Sequence, residues 1–397
     1  MGALLVATIF VAGCGQATVS PVGSVAGAIS APPSAGSTVA PAKSPAAVAS
    51  LAPAESLALA TSGACSLPSL PFRAAQVLLV GIPGTAARDG GDAVVRAGVG
   101  GVLLYGGNLV DARQVRALTS DLQEAANVPL AIATDEEPGR IGRLAAAGII
   151  PPTPSARALG RLPAIDVEAR ARRIGSAMAD LGFTVDLAPV LDVTGGPADG
   201  VIGDRSFGSD PALAARAGVA FADGLAAAGI AAVGKHFPGH GETTVDSHTS
   251  LPVVTASLEA LRKRALVPFA AAVGAGIPGI MLGHLQVDAI DPSRPVSVSP
   301  EAVELLRHEM GFTGLVMTDD IYMAGITDRW EVPEAVVLAV RAGVDMVILS
   351  SPAEVSAVKE ALVAAVDEGR LPEARLDEAF LRVERFKGVE RWAACGG

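Results

Sequence analysis

The 397-residue sequence predicts an α/β protein whose body is a single (β/α)8 TIM-like barrel. Three observations predict it. Eight short apolar runs recur from about Cys65 onward. Stretches with helical spacing and readable caps separate them. Rare polar residues gather just after five of the eight runs, as expected at a barrel mouth, where chemistry is drawn from many strand ends. An open doubly wound sheet would instead cluster them at one switch point.

The first segment, residues 1–14, reads as a signal peptide ending in a lipobox. Ala3 to Val11 is an apolar run of nine residues. A bilayer span needs about 20 residues, whereas a signal-peptide core needs only about 7–15. Val11-Ala12-Gly13-Cys14 places small residues directly before a cysteine and resembles a bacterial lipobox, with Cys14 as the lipidation site. No Lys or Arg precedes the run, a departure from the usual charged start. Residues 15–63 are nearly all Ala, Ser, Pro, Val, Gly and Thr, with one Lys, one Glu and no aromatic residue. So few large side chains cannot offset the entropy of ordering, so a disordered tether is expected. The order of segments implies an extracytoplasmic, lipid-anchored protein. Export would also permit a Cys65–Cys395 disulfide between the ends of the folded body, residues 64–397.

Within that body the expected strands are 75–82, 101–105, 130–134, 184–188, 231–234, 279–282, 314–318 and 345–350. Each is continuous rather than alternating, as strands buried on both faces are. Asp210-Pro211 and Ser299-Pro300 open helices, and Ser351 with Glu354 suggests a capping box. Gly229, Gly276 and Gly343 are expected helix stops.

The strand ends carry the unusual chemistry. The third run exits into Asp135-Glu136-Glu137-Pro138-Gly139-Arg140-Ile141-Gly142-Arg143 and the fourth towards Asp192. The fifth exits into Lys235–His248, with three of the chain's five histidines, the sixth at His284 and the seventh into Asp319-Asp320. Carboxylates beside a core are costly unless used or paired. Asp246 and His248 lie two apart, close enough for the carboxylate to fix the imidazole tautomer and form a proton-transferring dyad. Lys235 and His236 should sit lower in the pocket and hold a polar ligand. Arg140, Arg143 and Arg205 add donors. His236, His240, Asp246 and His248 could in principle bind zinc, but Pro238 and Gly239 break any helix that would align the histidines, and no metal is expected. A net charge of -11 with no long basic run argues against nucleic acid. There is no GxGxxG after the first strand and no P-loop, so no nucleotide cofactor is implied.

The stretch Lys235-His236-Phe237-Pro238-Gly239-His240-Gly241, followed by Asp246-Ser247-His248, resembles the signature of glycoside hydrolase family 3 β-N-acetylglucosaminidases. Asp135 to Arg143, Ala188 to Val193, Ile202 to Gly208 and Met317 to Asp320 with Met323 resemble further family segments in the same order. The likeness covers about Arg73 to Lys387. It implies a retaining hydrolase with Asp319 as nucleophile and His248 as acid/base, tuned by Asp246. Sugar-binding roles fall to Asp135, Arg143, Arg205, Lys235 and His236. It also implies a carbohydrate substrate, such as N-acetylglucosamine-containing cell-wall fragments, no cofactor, and action as a monomer. The sequence departs from the family in Pro138, Thr318 and Ile321-Tyr322, and Tyr322 is positioned to reshape the pocket. A family 3 β-glucosidase-like hydrolase, a phosphorylase and a non-catalytic sugar-binding lipoprotein remain alternatives.

Overall fold

The computed structural model describes residues 66–396, apart from Thr244. The leader 1–14 with Cys14, the tether 15–63 and Cys65 lie outside the described residues. Cys395 is disulfide-bonded.

Eight parallel strands close into a barrel. In chain order they are Leu78–Gly81, Gly101–Leu103, Ala131–Thr134, Val185–Asp186, Ala231–Phe237, Gly279–Leu282, Leu315–Asp320 and Met346–Leu349. The first pairs with both the second and the eighth, which closes the ring. Alternate residues of one strand serve two cores. Leu79, Leu103 and Met317 fill the barrel interior, while Leu78, Val80 and Val316 pack outward under the helices. Both faces are buried, so the runs read as continuous apolar segments. A two-stranded ribbon, Val253–Val254 with Gln286–Val287, sits outside the barrel sheet.

The helices largely follow their sequence signals. Asp210 caps Pro211–Ala226 by accepting the Ala212 N–H at 2.9 Å, and Ser299 accepts that of Ala302 at 3.3 Å. Helices Ala164–Asp180 and Pro211–Ala226 pack closely because Gly224 lacks a side chain: a Cβ there would stand 2.3 Å from the Glu168 carbonyl oxygen. Gly343 ends Val332–Ala342 at φ 115°, a conformation open to glycine.

Three boundaries differ from expectation. Residues Leu70–Gln76 form a helix, so the first strand starts only at Leu78. Pro71 in the first turn is compatible with that helix, and buried Arg73 ties it to Glu373 and Asp377. The fifth and seventh strands run on through Lys235-His236-Phe237 and Asp319-Asp320, so these polar residues belong to the barrel wall. Ser351 forms no capping box: its Oγ accepts the Ala353 N–H at 3.2 Å, and the helix begins later, at Val355.

The two barrel ends use charge differently. At the N-terminal end, buried Asp345 accepts from Arg307, from Arg375 at 2.7 Å and from the Val316 N–H at 2.9 Å. Such a closed cluster serves stability. The opposite end is open.

Candidate active site

A cavity of about 300 Å³ occupies the C-terminal mouth of the barrel. That is the lower end of the usual range for small-molecule sites, roughly 300–1,000 Å³. It is lined by Asp135, Arg143, Arg205, Lys235, His236, Asp246, His248 and Asp319 together. The residues singled out from the sequence therefore converge from four strands on one space.

One wall is an alternating chain of charges. Lys235, 3% exposed, extends from the fifth strand between two carboxylates of the third-strand loop. Its Nζ lies 2.6 Å from Asp135 Oδ1 and 2.8 Å from Glu137 Oε1. Arg205 donates to Glu137 through Nε and Nη2, both at 2.8 Å. Burial alone would push the Glu137 carboxyl up, but Lys235 and Arg205 outweigh it and hold the group well below the usual carboxylate range. Burial likewise opposes the Lys235 charge, and Asp135 and Glu137 overcome it and raise the ammonium. Arg143 stands 3.7 Å from Asp135 Oδ2 at the outer edge. Arg140 instead turns away from the cavity, bonding Asp204 Oδ1 at 3.1 Å and the Gly200 carbonyl at 2.5 Å. With Arg157, which donates to the Gly196 and Gly203 carbonyls, it fastens the loop that delivers Arg205.

Behind Lys235 the same loop buries a second carboxyl. Glu136 accepts the Leu144 N–H at 2.6 Å, and its own N–H donates to Asp186 Oδ1 at 2.9 Å. Burial pushes Glu136 up to about 7 and raises Asp186 well above its ordinary value.

The floor is built around Asp319, whose side chain is 16% exposed. Its Oδ1 accepts the Asp320 N–H at 2.9 Å, and its Oδ2 faces His236 Nε2 at 4.0 Å. Burial opposes ionisation, yet the His236 ring, the Asp320 N–H and Lys235 prevail and keep the carboxyl below its ordinary value. Asp192, fully buried, orients His236 by accepting from Nδ1 at 2.7 Å. An ionised carboxylate is an acceptor only, so Nδ1 carries the proton there. Asp192 also accepts the His240 N–H at 2.6 Å. His284 does not line the cavity. Its Nε2 lies 2.8 Å from the Asp320 carbonyl and its Nδ1 2.7 Å from Ser297 Oγ, so it fixes the exit of the seventh strand from below.

The rim carries the dyad. Asp246 Oδ1 lies 2.8 Å from His248 Nδ1 and accepts the His248 N–H at 3.0 Å. Partial burial opposes its charge, but these bonds keep Asp246 below its ordinary value. The carboxylate holds Nδ1 protonated, which leaves Nε2 to exchange a proton. The segment is tied to the residues after the seventh strand: the Gly325 N–H donates to the Ser247 carbonyl at 3.2 Å.

Sequence reasoning missed several parts. Glu137 was visible only as a motif letter. Asp192 had no signal for its grip on His236, 44 residues away. Tyr105, one of only two tyrosines, lines the cavity from the second strand end. Burial, then Asp320 and Asp135, push its phenol up, so it stays a donor among acceptors. Tyr322 does not line the cavity and packs against the outer core, contrary to expectation. Pro138 leaves its loop closed, with Arg143 N–H on the Asp135 carbonyl at 3.1 Å.

Comparison with known proteins places this geometry. The family description "Glycosyl hydrolase family 3 N terminal domain" matches residues 72–386. β-Hexosaminidase LpqI of Mycobacterium tuberculosis is 41% identical over 347 residues, covering 84% of this chain and 86% of that protein. The solved structure of M. tuberculosis LpqI aligns with a TM-score of 0.76 at 39% identity, covering 82% of this chain and 97% of that one. A family 3 β-N-acetylglucosaminidase from Paenibacillus sp. aligns with a TM-score of 0.78 at 36% identity, covering 83% of this chain and 64% of that one. The chain belongs to glycosyl hydrolase family 3 and is a glycoside hydrolase acting on a carbohydrate substrate.

Proposed function

We propose that the protein is a retaining exo-β-N-acetylglucosaminidase. It removes terminal non-reducing β-linked N-acetylglucosamine from peptidoglycan fragments outside the cytoplasm. The observation that carries this reading is the pairing within one cavity of an ionised carboxylate on the floor, Asp319, with a His–Asp dyad at the rim. Asp319 attacks the anomeric carbon while His248, oriented by Asp246, gives its Nε2 proton to the leaving oxygen. A covalent glycosyl-enzyme results. His248 then takes a proton from water, whose oxygen displaces Asp319 with a second inversion. A histidine fills the role that a second carboxylate usually holds in retaining enzymes. Lys235, Asp135, Arg143, Arg205 and His236 bind the sugar hydroxyls. The names of the relatives, β-hexosaminidase and β-N-acetylglucosaminidase, support the N-acetyl specificity.

The small-residue approach to Cys14 and the tether-like composition that follows support an extracytoplasmic enzyme held to the cell membrane through a lipid anchor, and we take it to act as a monomer. No metal or organic cofactor enters the reaction. The test is turnover of p-nitrophenyl β-N-acetylglucosaminide and of the β-glucoside by wild type and Asp319→Ala. Preference for the N-acetyl sugar, lost in a folded Asp319→Ala, supports the reading. Preference for the glucoside, or no turnover by folded wild type, overturns it.

A further inference from the structure

Among the described residues, a histidine ring at the mouth has no hydrogen-bond partner. His240 is 3% exposed, and neither of its ring nitrogens has a hydrogen-bond partner. Its position is well determined by its neighbours. The backbone N–H is held by Asp192 at 2.6 Å, and the ring lies edge-on to His236 with centroids 5.9 Å apart at 70°. The following residue, Gly241, is pressed against the fourth-strand exit, where a Cβ would stand 2.3 Å from the Val193 carbonyl oxygen. Buried polar atoms normally find partners, and an exception calls for a function.

The dyad presents the complementary vacancy. Asp246 uses one oxygen, Oδ1, for both of its bonds to His248. The side chains of His248 and Asp246 are 66% and 42% exposed at the rim, whereas Asp319 lies on the floor of the same cavity. To reach a leaving oxygen above Asp319, the His248 ring must be turned inward and held there. His240 precedes Asp246 by six residues on the same strand exit, lines the same cavity, and sets its ring against His236. Burial and His236 keep its imidazole below the usual histidine range. A neutral imidazole offers one N–H donor, which suits a carboxylate oxygen.

We infer that His240 is a positioning residue for the acid/base dyad: its ring N–H donates to the second Asp246 oxygen when His248 protonates the leaving group. It touches neither the reacting atoms nor the proton in transit. The inference rests on the reading of His248 as the acid.

The test uses the full chain with His240→Phe and His240→Asn. Phenylalanine keeps the ring shape and removes both unpartnered nitrogens, so His240→Phe should melt at or above wild type. Its kcat should fall roughly ten- to a hundredfold on an N-acetylglucosamine disaccharide, the scale of a mispositioned catalytic group. A dinitrophenyl glycoside, which needs little protonation, should lose less than about threefold. Combined with His248→Ala, the substitution should cause no further loss. His240→Asn, which keeps an N–H donor, should recover part of the disaccharide rate, and it carries the same readout if the Phe variant fails to fold. Equal losses on both substrates, an effect confined to KM, or losses that add to those of His248→Ala would each overturn the inference. So would a lowered melting temperature with unchanged rates, which would make His240 a packing residue. If His248→Ala itself shows no leaving-group dependence, the dyad reading fails first. If His248→Ala shows it and His240→Phe does not, only this inference fails.

Discussion

Replacing Glu137 with glutamine is the most searching perturbation of the charged wall. Glu137 is 1% exposed and accepts three bonds of 2.8 Å, two from Arg205 and one from Lys235. Glutamine keeps the shape but offers one acceptor oxygen and sets an NH2 against two cations. Removing one partner of a buried ion pair costs about 3–5 kcal/mol. Unfolding entropy of about 2.1 cal/mol/K per residue, over the roughly 330 described residues, comes to about 0.7 kcal/mol/K. The expected fall in Tm is therefore about 4–7 °C. The folded-state carboxyl lies below its unfolded value, so its stabilisation is present above the unfolded pKa and is lost only as pH falls through the lowered value. The Tm difference between wild type and variant should stay constant from pH 8 to pH 5 and shrink only under stronger acid. Scanning calorimetry across that range measures it. Kinetics on the same samples should show a raised KM, because Lys235 and Arg205 lose their common anchor. A Tm within 1 °C of wild type together with an unchanged KM would refute the reasoning.

Two further outcomes follow from the same geometry. His248→Ala should lose roughly 10²- to 10⁴-fold on substrates with poor leaving groups and far less on activated aryl glycosides, and equal losses on both would remove His248 from the acid role. Glu136, pushed up to about 7 from an ordinary 4.5, binds more protons folded than unfolded between those values. Its stabilisation is thus present below the lower value and lost as pH rises through the upper. The Tm of Glu136→Gln relative to wild type should therefore rise between pH 5 and pH 8, and a pH-independent difference in thermal melts would contradict that burial argument.

Much of the barrel was legible because its strands are buried on both faces. Runs such as Ala131–Thr134 and Gly279–Leu282 have no polar face to confuse the reading. The strand ends were harder. Lys235-His236 and Asp319-Asp320 look like loop residues by polarity, yet they continue the ladder because each side chain finds a charged or polar neighbour inside the mouth. Ser351 misled because the Ser-to-Glu spacing of a capping box also occurs where the chain turns before a helix. Within the site, the identity of the polar residues was readable and their partnerships were not. Nothing local to Asp192 announces that it holds His236, nor does Glu137 announce that it joins Lys235 to Arg205. Those pairings arise only when strand order brings distant positions to one end of the barrel.

The most direct test of the central claim is to look for the covalent intermediate on Asp319. His248→Ala should still be glycosylated by dinitrophenyl β-N-acetylglucosaminide, whose leaving group needs no acid, but should release the sugar slowly without its base. Acid quenching, proteolysis and mass spectrometry would then read the site. The account predicts one N-acetylhexosaminyl residue on the peptide containing Asp319, absent when Asp319→Ala is added. Product formed in the His248→Ala variant with no adduct accumulating, or an adduct on any other residue, would contradict it.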